Sequence, residues 1–530
     1  MRSWFTGVLL TFSLWLPAQE FAHPSVLSFE DSVGPAKAGA HSRLYSSGLH
    51  FKHGTKSLAW QWNQEGAEFG IHQPVNYLFP YENNDDNAVS TFVFWVYLPE
   101  SLGDAQLRFE FLKAGRVCSW FHYGLDFKGW SGAWVAFDRD MQGKPEKGMD
   151  QVKVKIEGAG NGVMYFDHVL LSSLQDIRHH TADVQAPFIN KETNSHWLIL
   201  LDSWQKEFDF PLPDRVNADT YQELATIEDR FLKLVKNGSK AKSAAELKKR
   251  FKAYRIRRDS TGRITGLPLF FERYGETYQK LGAPRYNELF AGPSGLSSAN
   301  DLLYDLAIAW HNNTAAGVKQ ELAGMYVLLT RHLLDQGFRA GSAMGTLHHL
   351  GYAMRQYYPS MLLMKEVLAG AGLQHQVQQA MEWFAGTGEV KRAPEVKGMD
   401  VDAFNTSLSG RLASVLMMPD SPDKVRYLKA LVRWVDNGLQ YSDGTQGTFK
   451  VDGSMFHHRH NYPAYAVGGL TGAVNAAWVL SRTTFALAPE GHEILKQALL
   501  SMRFYSNLLT WPLSLSGRHP DGKGRIVPAH

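Results

Sequence analysis

Cysteine is almost absent from this chain, because Cys118 is the only one among 530 residues. A single cysteine excludes an intramolecular disulfide framework and zinc sites built from cysteine pairs. Cys118 lies in a strand-like segment, where a small buried residue is the simpler interpretation and a nucleophile is the alternative. The sequence also lacks GxGxxG after a strand, a P-loop and an HExxH motif, so it indicates no nucleotide cofactor and no zinc-protease site.

A strong charge of either sign and a long apolar run are also missing. The net charge of +3 is too small to indicate nucleic acid binding, but it is compatible with an anionic ligand that meets local cationic side chains. Apolar stretches are too short to span a membrane. Arg2 followed by the apolar Trp4–Leu16 is typical of a signal peptide over residues 1–22. We therefore expect a secreted or periplasmic monomer without nucleic acid or membrane partners.

Aromatic residues, in contrast, are abundant, with 15 Trp, 21 Tyr and 30 Phe. Core packing is the usual role of such residues, but aromatic rings also give flat platforms that suit sugars. A length of 530 residues exceeds that of one ordinary domain and predicts a multidomain protein.

The first part of the chain carries regular, short, strand-like segments. Examples are Thr91–Tyr97, Gln106–Leu112 and Gln151–Ile156, and clusters of Gly, Asn and Asp separate them. Short strands with turn signals at regular intervals predict a β-sandwich. We assign it to residues 23–175, as a jelly-roll-like domain of the carbohydrate-binding kind.

Beyond a predicted linker over residues 176–213, the period becomes helical. Leu224, Ile227, Phe231 and Leu234 fall on one helix face that ends before Gly238, and Leu322–Leu333 repeat the pattern before Gly337. Further helical segments are predicted near residues 303–311, 361–370, 376–385, 409–418, 422–436, 469–484 and 491–508. A long array of helices predicts an α/α toroid of paired helices over residues 214–530. The expected fold class is multidomain α+β, with a β-sandwich followed by this toroid.

A basic stretch, Lys240–Arg258, carries nine Lys and Arg residues. It could guide a sulfated polymer, but a solvated helix face is the simpler interpretation.

The densest polar cluster is Phe456–Tyr465, which contains three His, one Arg, one Asn and two Tyr. Pro463 and the preceding Asp452–Ser454 predict a loop, where functional groups are often placed. Smaller polar clusters are Thr346–Tyr352 with the nearby Arg355, Phe404–Thr406, and Ser516–Pro520. The histidines could hold a divalent metal or perform acid–base chemistry with Tyr and Arg. The absence of carboxylates from the cluster weakens a hydrolase that needs paired Asp or Glu.

These clusters, in this order, resemble the site motifs of the chondroitin sulfate ABC lyases of polysaccharide lyase family 8. The similarity includes Met325–Phe338 and His348–Tyr352, and it extends to Ser57–Trp62 and Tyr165–Val169 in the first domain. It covers nearly the whole chain after the signal peptide. Such lyases cleave glycosaminoglycans by β-elimination, so the resemblance implies an anionic polysaccharide as substrate and no required cofactor.

The resemblance also implies roles for individual residues. His458, Tyr465 and Arg518 match the catalytic His, Tyr and Arg of the family, and Asn405 matches the Asn that binds the uronate carboxylate. His348 and His349 match a His pair that lines the cleft, and we add Asn461 and Arg355 as substrate-binding residues. No metal ligand is assigned, although a structural divalent cation with unplaced ligands remains compatible with the sequence.

In elimination, a base removes the C5 proton and an acid protonates the departing C4 oxygen. Neutralising and hydrogen-bonding the carboxylate stabilises the charge that develops. Tyr465 is the expected proton shuttle. His458 is expected to act as the base for the opposite C5 epimer or to polarise the site.

Two departures from the family pattern stand out. Arg459 and His460 replace Glu and Gly, which makes the site more positive. The chain also stops at His530, soon after Arg518, whereas members of the family continue into β-sandwich domains that carry a further catalytic Glu. An incomplete, C-terminally truncated toroid is therefore expected.

Three functional hypotheses follow. The first is a lyase of chondroitin or dermatan sulfate, with hyaluronan as a further substrate, which leaves unsaturated uronate ends. The second is a truncated, inactive lyase that only binds glycans. The third is a metal-dependent toroid hydrolase, which the shortage of carboxylates near the histidines disfavours.

Overall fold

The computed structural model describes residues 26–82, 88–190, 200–213, 215–271, 295–345 and 350–505. Two antiparallel sheets occupy the chain up to Asp176, and the residues that follow are mainly helical. The predicted order of a β-sandwich followed by helices is therefore confirmed. The proposed signal peptide lies outside the described residues.

The sandwich consists of two six-stranded sheets. The first sheet runs in the spatial order β3 (Ser42–Ser47), β4 (Ser57–Trp62), β12 (Gly162–Asp176), β6 (Ala88–Leu98) and β9 (Gly129–Ala136), with β1 (Val26–Leu27) also paired to β12. The second sheet runs in the order β10 (Gln142–Gly143), β8 (Arg116–Gly124), β7 (Gln106–Lys113), β11 (Gln151–Glu157), β5 (Glu68–Ile71) and β2 (Ala36–Ala38). Neighbouring strands are antiparallel throughout these two sheets.

The two sheets differ in how many of their faces are buried. In the second sheet, β11 alternates strictly between buried and half-exposed residues, as expected when one face contacts water. In the first sheet, every residue of β9 is buried, because the helical part covers the outer face. The contact is close: a Cβ on Gly129 would lie 2.5 Å from the carbonyl oxygen of Asp335. The Tyr97 hydroxyl also donates a hydrogen bond of 2.9 Å to the Asp335 carboxylate.

The helical part confirms the predicted helix faces. Its helices, numbered after the short α1 (Phe137–Asp140) of the sandwich, are α2 (Leu200–Gln205), α3 (Ala218–Lys236), α4 (Ala244–Ala253), α5 (Leu296–Asn312), α6 (Ala316–Asp335), α7 (Leu350–Ala353), α8 (Tyr357–Leu363), α9 (Lys365–Gly370), α10 (Gln374–Ala385), α11 (Leu408–Met417), α12 (Pro422–Gly438), α13 (Pro463–Leu480) and α14 (Pro489–Tyr505). Consecutive helices pack in pairs, namely α5 with α6, α10 with α11 and α13 with α14. Within the described ranges, no helix has the length and apolar character that a membrane span requires.

Helix ends follow from local sequence. The Asn217 and Ser421 side chains accept hydrogen bonds from backbone N–H groups at the starts of α3 and α12, which is the usual role of an N-cap residue. Gly337, just past α6, has a φ of +101°, a conformation that suits glycine. Part of the segment 176–213 is also packed, since α2 places Leu200 and Leu201 in the core.

Lys52 connects the sandwich to the helical part. Its side chain is fully buried, and Nζ donates hydrogen bonds to the carbonyl oxygens of Leu269 at 2.8 Å and Gln336 at 3.0 Å. Nζ also lies 4.4 Å from the centre of the Trp95 ring. Burial lowers the pKa of this ammonium to about 7, against the opposing charges of Asp335 and Asp167. A single sandwich side chain thus supplies the donor for carbonyl groups on the opposite side of the contact.

Buried or half-buried histidines surround the same contact. His332 of α6 is enclosed, its Nε2 lies 2.7 Å from the Leu267 carbonyl oxygen, and burial lowers its pKa to about 4. His50 and His53 on the sandwich side also have pKa values lowered by burial, to about 3 and about 4. These rings therefore remain neutral in the folded protein at pH values where an exposed histidine is protonated.

We expect His332→Gln to change how stability depends on pH. The folded pKa of His332 lies below its ordinary value of 6.5, so its contribution is fully present above pH 6.5 and is lost as pH falls through about 4. The stability advantage of the wild type over the variant should shrink by about 3 kcal/mol between pH 7 and pH 4. Urea denaturation at several pH values measures this difference, with His492→Gln as the exposed control. A constant difference across that range would contradict the prediction.

Candidate active site

The His-rich segment is a β-hairpin followed by a helix, not the loop that the sequence predicted. Phe456–His457 (β13) pairs with His460–Asn461 (β14), and α13 begins at Pro463. Proline suits the first helical position because its ring fixes φ and it has no N–H to leave unpaired. Tyr465 consequently lies in the first turn of α13 and not on a loop.

The turn of this hairpin presents His458 to solvent. His458 and Arg459 have φ values of 49° and 68°, and both side chains are exposed. Positive φ at both central residues is required by the type I′ turn that closes two-residue hairpins, and glycine or asparagine usually provides it. Two bulky residues in this conformation impose a strain of the kind often found at functional sites.

Replacing Arg459 should reveal this strain. Glycine adopts positive φ without penalty, whereas a β-branched residue does so poorly. We expect Arg459→Gly to raise stability by roughly 1 kcal/mol and Arg459→Val to lower it by a similar amount. Thermal unfolding midpoints of the two variants provide the measurement. Equal midpoints would show that the turn is not strained.

Asn405 lies in a π-helical turn, Ala403–Ser407, that leads into α11. Such turns interrupt regular helices and are frequent at functional sites. Arg355 donates a hydrogen bond of 3.3 Å from Nη2 to Asn405 Oδ1. A Cβ on Gly468 of α13 would lie 2.8 Å from the same oxygen, so Asn405 packs directly against the helix that carries Tyr465.

Tyr352 joins these residues to Tyr465. Its hydroxyl lies 3.0 Å from the Tyr465 hydroxyl, and the guanidinium of Arg355 lies 5.3 Å from the centre of its ring. Burial and the hydrogen bond with Tyr465 raise the pKa of Tyr352. Tyr352 therefore keeps its proton and is the donor whenever Tyr465 is the ionised partner.

Sequence reasoning missed the carboxylates of the site. Asp400 Oδ2 lies 3.1 Å from His457 Nδ1, and Asp402 Oδ2 lies 3.8 Å from His457 Nε2. Burial raises the pKa of Asp402 to about 6, with help from the Asp400 charge. For Asp400, burial is outweighed by hydrogen bonds from the His457 ring and the Asp402 backbone, and its pKa is lowered.

The same three residues could hold a cation. One ligand atom from each of Asp400, Asp402 and His457 lies within 4.8 Å of the other two. Two carboxylates and an imidazole suit divalent ions that favour oxygen and nitrogen ligands. The sequence assigned no metal ligand here, because both carboxylates lie outside the His-rich segment.

The structure brings together four of the predicted residues. His458 and Tyr465 have ring centres 6.2 Å apart, and Tyr352 links Tyr465 to Arg355 and Asn405. Asn461 is on the hairpin, where its buried side-chain oxygen has no hydrogen-bond partner among the described residues. The predicted residues His348, His349 and Arg518 lie outside the described residues.

The chain matches known proteins along nearly its whole length. A family model described as "Lyase, N terminal" matches residues 23–188, and one described as "Lyase, catalytic" matches residues 211–530. The chondroitin sulfate ABC exolyase of Bacteroides thetaiotaomicron is 39% identical over 522 residues, which are 97% of this chain and 51% of that protein.

Two proteins of Proteus vulgaris are also similar. The chondroitin sulfate ABC exolyase is 30% identical across 92% of this chain and 50% of its own length. The chondroitin sulfate ABC endolyase is 27% identical across 88% of this chain and 48% of its own length. The chain thus spans about half the length of the curated relatives that it matches.

Proposed function

Since this chain belongs to the lyase family of the chondroitin sulfate ABC lyases, polysaccharide lyase family 8, we propose that it cleaves glycosaminoglycans by β-elimination. The bond broken is the one between hexosamine and uronate, and the product carries an unsaturated uronate end. The observation that carries the proposal is the direct contact of Tyr465 with Tyr352, beside the Arg355–Asn405 pair.

Arg355 and Asn405 are suited to bind the uronate carboxylate. The Asn405 amide can donate to one carboxylate oxygen while the Arg355 guanidinium offsets the negative charge. That interaction strengthens as C5 loses its proton, because negative charge then accumulates on the carboxylate. By family resemblance, Arg518 would add a second cation.

Tyr465 is suited to move the proton. An ionised Tyr465 would accept the C5 proton, and the resulting phenol would donate a proton to the departing C4 oxygen. The Tyr352 hydroxyl at 3.0 Å favours this cycle, because a hydrogen bond to the ionised form stabilises that form. His458, exposed on the strained turn, would serve as the base for the opposite C5 epimer or polarise the site.

We also propose where the enzyme acts and what it contacts. An anionic polysaccharide is the expected partner. Residues 1–22 are proposed to direct export, and the exported enzyme is proposed to be a monomer.

The sandwich is proposed to contact the glycan through the solvent-facing side of the second sheet. There, the Arg108 guanidinium lies 4.1 Å from the centre of the Trp120 ring, and His122 lies edge-on to Trp120. Aromatic and cationic groups together suit an acidic sugar.

The decisive experiment incubates the purified protein with chondroitin sulfate, dermatan sulfate and hyaluronan. We expect a rise in ultraviolet absorbance from unsaturated uronate ends with at least the two sulfated polymers. Carboxyl-reduced chondroitin is the matched control and should give no signal, since it lacks the group that acidifies C5. Saturated new ends that disappear with a chelator would instead support the hydrolase hypothesis. Binding without turnover would support the glycan-binding hypothesis.

A further inference from the structure

His457 is a buried aromatic residue directly beside the proposed proton shuttle. The residue is 3% exposed, although its neighbours His458 and Arg459 are open to solvent. Its ring is stacked on that of Tyr465, with centres 4.3 Å apart and planes inclined by 19°. The mechanism described above leaves this residue without a role.

A hydrogen bond with Asp400 fixes the orientation of the His457 ring. Asp400 Oδ2 lies 3.1 Å from Nδ1, whereas Asp402 Oδ2 lies 3.8 Å from Nε2, which is too long for a hydrogen bond. An ionised carboxylate can only accept hydrogen bonds, so Nδ1 must donate to Asp400. The ring cannot rotate about its χ2 bond without breaking this hydrogen bond to Asp400.

A fixed ring plane constrains whatever is stacked on it. The Tyr465 ring contacts His457 on one face, and its hydroxyl contacts Tyr352. Tyr465 is in the first turn of α13, where the backbone alone leaves several χ1 and χ2 rotamers open to a tyrosine. The stacking contact and the hydroxyl contact together select one of them.

We propose that His457 is a positioning residue, held by Asp400, whose ring fixes the direction of the Tyr465 hydroxyl. The expected effect on kcat rests on the proposed lyase function, whereas the expected effect on the orientation of the Tyr465 ring does not. Misplacement of a reacting group by about 1 Å costs roughly 100-fold in rate. Loss of the stacked ring should therefore lower kcat and leave KM nearly unchanged, because Asn405 and Arg355 still bind the carboxylate.

The kinetic test compares His457→Ala, His457→Phe and Asp400→Ala on dermatan and chondroitin sulfate. We expect His457→Ala to lower kcat by roughly 10- to 100-fold with KM changed less than threefold. His457→Phe should recover part of that loss, because it retains a flat ring of similar size. Asp400→Ala should lower kcat in the wild type but have no further effect in the His457→Phe background, since Asp400 acts through His457. Additive effects of the two changes would overturn the proposal.

A second measurement keeps the inference testable even if no substrate is cleaved. In protein labelled with 3-fluorotyrosine, the fluorine resonance of Tyr465 is identified by its disappearance in Tyr465→Phe. Removal of the stacked ring in His457→Ala should shift that resonance, and Asp400→Ala should shift it in the same direction. His492→Ala, at an exposed position on α14, is the control and should leave it in place. An unmoved Tyr465 resonance in His457→Ala would refute the positioning role.

The test also separates positioning from a cation held by the same three residues. The wild type is measured with and without EDTA, both for kcat and for the Tyr465 resonance. The proposal expects no change, because the Asp400–His457 contact needs no ion. A wild type that matches His457→Ala once EDTA is added would show that a bound cation, and not the Asp400 contact, holds the ring.

Discussion

Tyr465→Phe is expected to lower kcat by roughly 1,000-fold or more, with KM largely preserved. The substitution removes one oxygen atom and leaves the ring, its stacking on His457 and the start of α13 intact. General acid–base groups contribute about 100- to 10,000-fold to rate, and here one hydroxyl is proposed to serve both the base and the acid step. The initial rate of ultraviolet absorbance on chondroitin and dermatan sulfate measures the loss separately for each C5 epimer.

The comparison of epimers sharpens this prediction. If His458 is the base for the opposite epimer, Tyr465 still supplies the acid for both epimers, so Tyr465→Phe stops both reactions. His458→Ala should then lower the rate on one polymer more than on the other. Tyr221→Phe on α3 removes a hydroxyl far along the chain from the site and should retain full rate. A Tyr465→Phe enzyme with wild-type kcat on either polymer would refute the proposed proton transfer.

Lys52→Ala should be the most destabilising single change considered for this protein, at about 3–5 kcal/mol. It removes the donor from the carbonyl oxygens of Leu269 and Gln336 and the cation from the face of the Trp95 ring. It also leaves a cavity between the sandwich and the helical part. Urea denaturation followed by tryptophan fluorescence and by circular dichroism measures the free energy of unfolding.

Two further substitutions divide that cost into its parts. Lys52→Met fills most of the volume but still leaves the carbonyl groups without a donor, so about half of the loss should remain. Lys56→Ala, at an exposed position four residues further on, should change stability by less than about 0.5 kcal/mol. A Lys52→Ala protein as stable as the Lys56→Ala control would show that the ammonium contributes nothing to the contact.

The sequence predicted strands and helices correctly where only one face of the element is buried. The alternation in β11 correctly predicted a strand. The spacing of one helix face correctly predicted α6, with Leu322, Met325, Leu329 and Leu333 on that face. Both patterns arise because one side of the element meets water or a neighbour of different polarity. The continuous burial of β9 was not predictable in the same way. It depends on a second layer of helices packed on the first sheet, and period-two patterns do not report such a layer.

The site was predicted only in part because its groups come from distant segments. The polar residues of Phe456–Tyr465 stood out by local density, Asn405 by family resemblance, and Arg355 by its position shortly after the polar cluster Thr346–Tyr352. Asp400 and Asp402 reach His457 from 57 and 55 residues away, so no local pattern tied them to the histidines. The Asp-x-Asp spacing shortly before Asn405 was the one available signal. The π-helical turn and the positive φ values of His458 and Arg459 had no sequence signal either.

Burial of the first sheet on both faces has a consequence for how this architecture can be rearranged. A sandwich cut away at Asp176 would expose the outer faces of β6 and β9, with Trp95, Tyr97, Trp130 and Trp134 among the side chains uncovered. An exposed apolar patch of that kind favours aggregation. We therefore expect that recombination cannot transfer the sandwich to another enzyme without the helices that cover this face. We expect substitutions on this face of the sandwich to need matching substitutions in the helices that cover it.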